Sequence, residues 1–534
     1  MLRTTRGLNP ARKSCLTRTL ASHASITPPP ELVEGFAVDQ RDKLPIFTVS
    51  KERGHVVDIF LPRVDPQQML PKAFAPLESL LNRMTIIQRD GSRGLLALGQ
   101  FGDAVKSELD TADLIRKVEN VIKAGDRRLI SALFRDFGFC TSAYLLEPVD
   151  LSFRATGQYS VGRDVLPECL AKPMSLLADA TGSHAYLDYV SYALQNYVRL
   201  DPQSSAETVG DPAAWAPENL ALIRAFENST GSEAGFILVH VAMVAYTGQV
   251  VNHTENVLKA ANERDRVGFR HSMSALLDVF RQINRAMDTM WSWSRPVDYL
   301  SFRTFIMGLA PKHGNRMFPT GVIYEGVSDE PQYFRGESGS QDNIIPVADN
   351  LLQITKSLPD NELTRTLREF RHYRPSAQRI YVDTLEARAT EANVADFAKA
   401  DKQSLAYYIL MLDQVREFRD RHWRFVKSYI IKYSDYNIAT GGSPILHYLP
   451  NNLRTVLGVM ADAFTLLPSS ADLPPELAAQ VDAVRGRAET QLRVLDREVT
   501  QFESQVKGVD DKRASTWHDG TRWNKGMVGC DGVG

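Results

Sequence analysis

LAYYILMLDQVREFRDRHWRFVKSY, residues 405–429, carries one apolar stripe: Leu405, Tyr408, Leu412, Val415, Phe418, His422, Val426 and Tyr429 recur at three- and four-residue steps. That period matches the turn of an α-helix and predicts a long helix with one buried face. Arg416, Asp420, Arg421, Arg424 and Lys427 occupy much of the remaining surface and read as a solvated charged face. His422 is the group on the stripe that apolar surroundings penalise, because an imidazole taken out of water needs partners for its nitrogens. A hydrogen bond in the core meets that need, the commoner outcome for a lone buried histidine. So does a metal bound through one nitrogen of the neutral ring. The residues alone leave both open.

The same period extends outward. Phe269, Met273, Leu276, Phe280, Ile283 and Met287 predict a second amphipathic helix, and a polar one is expected over roughly Pro475 to Val506. From Gly235 to Tyr246 the chain is apolar nearly all round, so this helix should run through the middle of a bundle with His240 inside it. Residues 36–227 mix short helical patterns with loops, including the segment Asp201 to Pro217, and a Gly/Pro/Asn-rich stretch from Pro311 to Pro346 interrupts the later helices. The expected organisation is a basic leader (1–35), a small N-terminal domain (36–227), a large helical domain (228–507) and a glycine-rich, disordered tail (508–534).

The chain has 534 residues, 43% hydrophobic and 24% charged, with a formal net charge of −2. It is long enough to bury a large core and a cofactor, and its charge offers no field for binding nucleic acid. Cys15, Cys140, Cys169 and Cys530 form no CxxC pair, which argues against a disulfide framework or a structural zinc site. No run reaches transmembrane length; the most apolar stretch, Phe236 to Tyr246, is short and carries a histidine, so no membrane insertion is expected. Before Glu31 there is no acidic residue, while Arg3, Arg6, Arg12, Lys13 and Arg18 sit among Ser and Thr. This composition suits a mitochondrial presequence or a disordered tail, so the expected compartment is the cytoplasm or, if the leader is read, the mitochondrion.

Three further features can carry chemistry. Arg303 lies amid aromatics in DYLSFRTFIMG, residues 298–308, where a guanidinium could clamp a carboxylate or serve a buried ion pair. Gly336-Glu337-Ser338-Gly339-Ser340 offers small residues where backbone can approach a flat ligand. Ala439-Thr440-Gly441-Gly442-Ser443 could form a mobile lid with a hydroxyl donor. Neither loop follows a phosphate-binding pattern.

Taken together, Phe418 to Val426, the Ala439-Thr440-Gly441-Gly442-Ser443-Pro444 loop, Arg303 to Gly308, Gly321 to Gly326 and Phe334 to Gly339 resemble the indoleamine 2,3-dioxygenase family, in order and spacing, from about Tyr186 to Leu453. The resemblance implies a mainly α fold, a smaller mixed N-terminal domain on a larger all-helical one, with haem b between them. It implies His422 as the proximal iron ligand, Arg303 holding a substrate carboxylate and Tyr299 beside an indole. Phe236 and Tyr189 would line the distal pocket, Ser338 and Gly339 would border the haem edge, and Thr440 would close over substrate. Asp349 and Arg419 match a pair that ties the loop-bearing segment to the proximal helix. His240 falls where the animal enzymes carry serine and the related tryptophan 2,3-dioxygenases carry histidine, able to hydrogen-bond the indole N–H or bound oxygen. The implied activity is cleavage of the indole C2=C3 bond of L-tryptophan by O2 to give N-formylkynurenine, the entry to the kynurenine route and NAD synthesis. The active form would be a monomer with one ferrous haem and an unidentified reductant. A non-catalytic oxygen-binding protein on the same fold is the alternative.

Overall fold

The computed structural model describes residues 50–509 apart from 53–54, 58–59, 63–64, 201–211, 311–314, 435 and 437. The expected leader 1–35, the tail from 510 and most of the Asp201 to Pro217 segment lie outside the described residues. Helix α1 (Arg127–Thr156) starts where the Asp126 side chain accepts from the Leu129 amide and ends at Gly157, whose φ of 73° only glycine adopts readily. Apolar residues lie on all of its sides and most of it is buried. A helix with no stripe has no amphipathic period, which corrects the reading of this region as short helices and loops.

The C-terminal half follows the expected periods closely. Helix α2 (Ser232–Val244) is buried along nearly its whole length. It is followed by α3 (Thr247–Asn262) and α4 (Arg266–Asp288), the latter capped by Asp265. Helix α5 (Lys402–Val426) is capped by Asp401 and runs into a wider π turn, Lys427–Ile431. Helices α6 (Ile445–Leu466) and α7 (Pro475–Val509) complete the bundle. Helix α4 packs on both α3 and α5, and α6 on both α5 and α7, so the stripes found in the sequence face one another.

Strands are short. β1 (Ser50–Glu52) pairs with β2 (His55–Val57), and β4 (Tyr197–Arg199) with β5 (Leu220–Leu222), both antiparallel. β3 (Val165–Leu166) runs parallel to β6 (Val322–Tyr324), which turns back antiparallel into β7 (Ser328–Gln332). The stretch read as an irregular interruption therefore holds two strands, and β6 joins it to the N-terminal half.

Two segments, Arg127–Thr156 and Ser232–Asn262, are long and apolar enough to cross a membrane, against the sequence expectation. The second combines α2 and α3 across a junction that a search for one unbroken run misses. Inside the protein, 94% and 72% of their most apolar windows are buried, so that apolarity serves the core.

A buried ionic cluster anchors α1. Arg224 donates to Glu78 at 2.7 Å and to Asp136 at 2.8 Å, and Arg135 donates to Asp136 at 2.7 Å. Asp136 faces two guanidinium groups with no solvent to replace it. Asp136→Ala is expected to destabilise the fold by about 3–5 kcal/mol, because Arg135 would remain buried without its charge partner. Urea unfolding of the two proteins measures this; equal midpoints and slopes would contradict it.

Candidate functional site

Helices α2 and α5, with the loops around Ser338 and Thr440, enclose a cavity of about 1100 Å3 including its mouth. Phe236, His240 and Met243 line it from α2, and Phe418, His422, Phe425 and Val426 from α5. Met287, Met290, Tyr299 and Tyr429 extend the apolar wall.

No hydrogen bond joins the His422 ring to another described residue. Burial, with a smaller push from the His240 charge, lowers its pKa to about 4. It is therefore neutral near pH 7 and keeps a free nitrogen lone pair on the cavity wall. Among the described residues no three His, Cys, Asp or Glu side chains gather to hold a metal ion by themselves. A single neutral imidazole in a large apolar slot fits haem, whose porphyrin fills the equatorial positions of the iron.

His240 differs. Its Nδ1 lies 2.8 Å from the Phe236 carbonyl oxygen, which can only accept, so Nδ1 carries the hydrogen. Burial holds its pKa below the ordinary histidine value. The ring is then neutral, and Nε2 is an acceptor. Around it the Phe236 ring stands 4.8 Å away and Tyr189 meets it edge-on at 5.8 Å, while Phe236 and Tyr299 are 5.4 Å apart. Such aromatic faces suit a flat apolar ring.

Arg303 is fully buried. One Nη donates to the Ile438 carbonyl at 2.5 Å, while Nε and the other Nη have no acceptor among the described residues. Buried guanidinium nitrogens without acceptors mark a place for an anion. Ile438 precedes Ala439 and Thr440 on the cavity wall, so Arg303 stands just behind that wall.

Of the residues singled out in the sequence, Phe236, His240, Tyr299, Ser338, Gly339, His422 and Thr440 line the cavity together. Arg303 and Tyr189 back its wall. Arg419 and Asp349, expected at the cofactor, are not among the lining residues: Arg419 donates to Asp349 at 2.7 Å and to the Asn452 carbonyl at 3.0 Å, and the pair braces α5. The charged face of α5 is likewise not simply solvated. Arg416 is buried against Asp413, and Arg421 is buried against Asp288 and Glu417.

Other contacts were not legible. Arg374 donates to the carbonyls of Ser340, Gln341 and Asp342, and Arg335 to the carbonyl of Gly441 at 2.8 Å. These tie down both loops, so the Thr440 loop is an anchored wall here and not the free lid expected. The Gly308 amide donates to Thr440 at 3.0 Å and the Leu309 amide to Phe334 at 2.8 Å. A Cβ on Gly336 would lie 2.4 Å from the carbonyl oxygens of both Ile306 and Thr440. Glycines flagged this contact in the sequence; nothing there showed which strands of backbone met.

The family model for indoleamine 2,3-dioxygenase matches residues 43–443. The indoleamine 2,3-dioxygenase of Saccharomyces cerevisiae is 26% identical over 368 residues, covering 67% of this chain and 76% of that protein. Indoleamine 2,3-dioxygenase 1 of Rattus norvegicus is 24% identical over 302 residues, covering 54% and 71%. A myoglobin of Haliotis diversicolor is 25% identical over 394 residues, covering 73% and 89%.

Gly336→Ala forces backbone apart where no flexible side chain can yield. A loss of roughly 1–3 kcal/mol is expected, the usual range for overpacking. Denaturant unfolding checks it, and an unchanged midpoint would mean that the three segments do not meet as described.

Proposed function

We propose that this chain, which belongs to the indoleamine 2,3-dioxygenase family, binds haem through His422 and oxidises L-tryptophan with O2 to N-formylkynurenine. The observation that carries this is the neutral, unpartnered His422 on the wall of a large apolar cavity with no competing metal-ligand cluster among the described residues. Haem, when bound, supplies the redox chemistry that activates dioxygen toward the indole C2=C3 bond. The protein's part is binding and orientation.

Tyr299 and Phe236, packed on each other, offer the indole one aromatic wall. Arg303 receives the carboxylate with the two nitrogens that lack acceptors. Thr440, 8% exposed, offers its hydroxyl from the same wall. The bond from His240 Nδ1 to Phe236 leaves Nε2 able to accept the indole N–H but, in the neutral ring, unable to donate to oxygen. This favours the contact with the indole N–H of the two roles open for that residue. The apolar lining excludes water from the reacting ring.

The myoglobin similarity favours a second reading, an oxygen carrier on the same fold. A carrier needs an iron ligand but has no use for a carboxylate receptor; Arg303 therefore favours the enzyme. Incubating reduced, haem-loaded protein with tryptophan and following N-formylkynurenine absorbance separates the two.

His422→Ala is expected to purify without haem, since it removes the iron's protein ligand; full haem content in that variant would refute the assignment. Arg303→Ala should keep its haem and raise KM for tryptophan by roughly ten- to a hundredfold, the scale of a charge-assisted hydrogen bond. Unchanged kinetics would remove the carboxylate clamp. Wild type should bind tryptophan several-fold more tightly than its N1-methylated analogue, as expected for one neutral hydrogen bond. His240→Ala should abolish that preference, and its persistence would dismiss the His240 contact.

A further inference from the structure

Four carboxyl groups are buried in this part of the fold, Asp188, Glu233, Glu337 and Asp342, and of these Glu337 and Asp342 line the cavity. Three of them are held by donors. The Ser191 amide donates to Asp188 at 2.8 Å, the Phe226 and Glu227 amides and the Tyr192 hydroxyl to Glu233, and the Ile344 amide to Asp342 at 2.7 Å. Glu337 is the exception. It is 3% exposed, lines the cavity, and makes no hydrogen bond or ion pair with another described residue. Burial, with like charge from Asp188, pushes its carboxyl up to about 8. A buried carboxyl without donors is costly unless a ligand completes it.

Its place in the fold says which ligand group that is. Glu337 follows Gly336, whose backbone is pressed against Ile306, Gly308 and Thr440. The segment bearing Arg303 and the loop bearing Thr440 therefore converge on the residue next to Glu337. In an α-amino acid the ammonium and the carboxylate leave the same carbon, so their receptors must converge in just this way. Among the other polar side chains on the wall, the Ser338 hydroxyl already accepts from the Ser340 amide at 3.2 Å, and Asp342 has one oxygen taken by the Ile344 amide and the other on the side of Tyr189, without a donor among the described residues. We infer that Glu337 receives the ammonium group of the substrate, the counterpart of Arg303 at the carboxylate, and so makes the site selective for free α-amino acids. The inference rests on the reading of the cavity as an indole amino-acid site.

The test measures affinities of the haem-loaded protein for L-tryptophan and for indole-3-propionate, which lacks only the ammonium, from changes in the haem absorbance. Wild type should prefer tryptophan by roughly ten- to a hundredfold, the range for a charge-assisted hydrogen bond. Glu337→Gln, close to isosteric, should lose that preference while binding indole-3-propionate as before; the four affinities form a double-mutant cycle that isolates the ammonium contact. Equal affinity of wild type for the two ligands would overturn the inference without any variant. So would a Gln variant that keeps the preference, or one that weakens both ligands alike. Failure of wild type to bind tryptophan or indole-3-propionate at all would instead overturn the reading of the cavity, and the role of Glu337 with it.

Discussion

Everything on the polar side of the cavity depends on one backbone contact. Gly336 sits where a single added carbon would collide with the carbonyls of Ile306 and Thr440 and the amide of Gly308. Three segments far apart in sequence are thereby brought within hydrogen-bonding distance, Gly308 to Thr440 and Leu309 to Phe334. Backbone-to-backbone contacts of this kind leave little freedom, because no rotamer change can relieve them. The guanidinium of Arg303, the carboxyl of Glu337 and the hydroxyl of Thr440 inherit their positions from that junction. Arg335 and Arg374 reinforce it by donating to loop carbonyls on either side.

The apolar side is built differently, from helix packing. Helix α5 presents Phe418, His422, Phe425 and Val426 to the cavity, and its opposite charges are neutralised in place by Asp288, Asp413 and Glu417. The Arg419–Asp349 pair fixes the helix one turn before the histidine. The two cavity histidines then have separate fates set by local partners. The Phe236 carbonyl satisfies one nitrogen of His240, whereas His422 has no hydrogen-bond partner among the described residues, as its proposed role as iron ligand requires.

Much of this was legible in the sequence, for identifiable reasons. Helices α4, α5 and α7 are amphipathic, and their stripes and caps mark them to within a few residues. His422 stood out because an imidazole on an apolar stripe is costly. Helix α1 was missed because burial on every side erases the period. β6 and β7 were missed because their Gly- and Pro-rich surroundings read as loop, and their pairing partner β3 lies far upstream. For Arg303 the residue was evident but its surroundings were not: the bond to Ile438 and the two free nitrogens arise from a contact across more than a hundred residues. Glu337 carried no signal at all, since an acid beside glycines in a loop is ordinarily solvated; only its burial without donors distinguishes it.

The proposed function requires that this cavity direct dioxygen into the indole ring instead of merely storing it. A single turnover of the reduced, haem-loaded protein with L-tryptophan under isotopically heavy dioxygen measures this directly, with the product weighed by mass spectrometry. The expected product is N-formylkynurenine carrying both heavy atoms. A stable oxygenated haem beside unconsumed tryptophan would contradict it and leave an oxygen-binding protein on a dioxygenase fold.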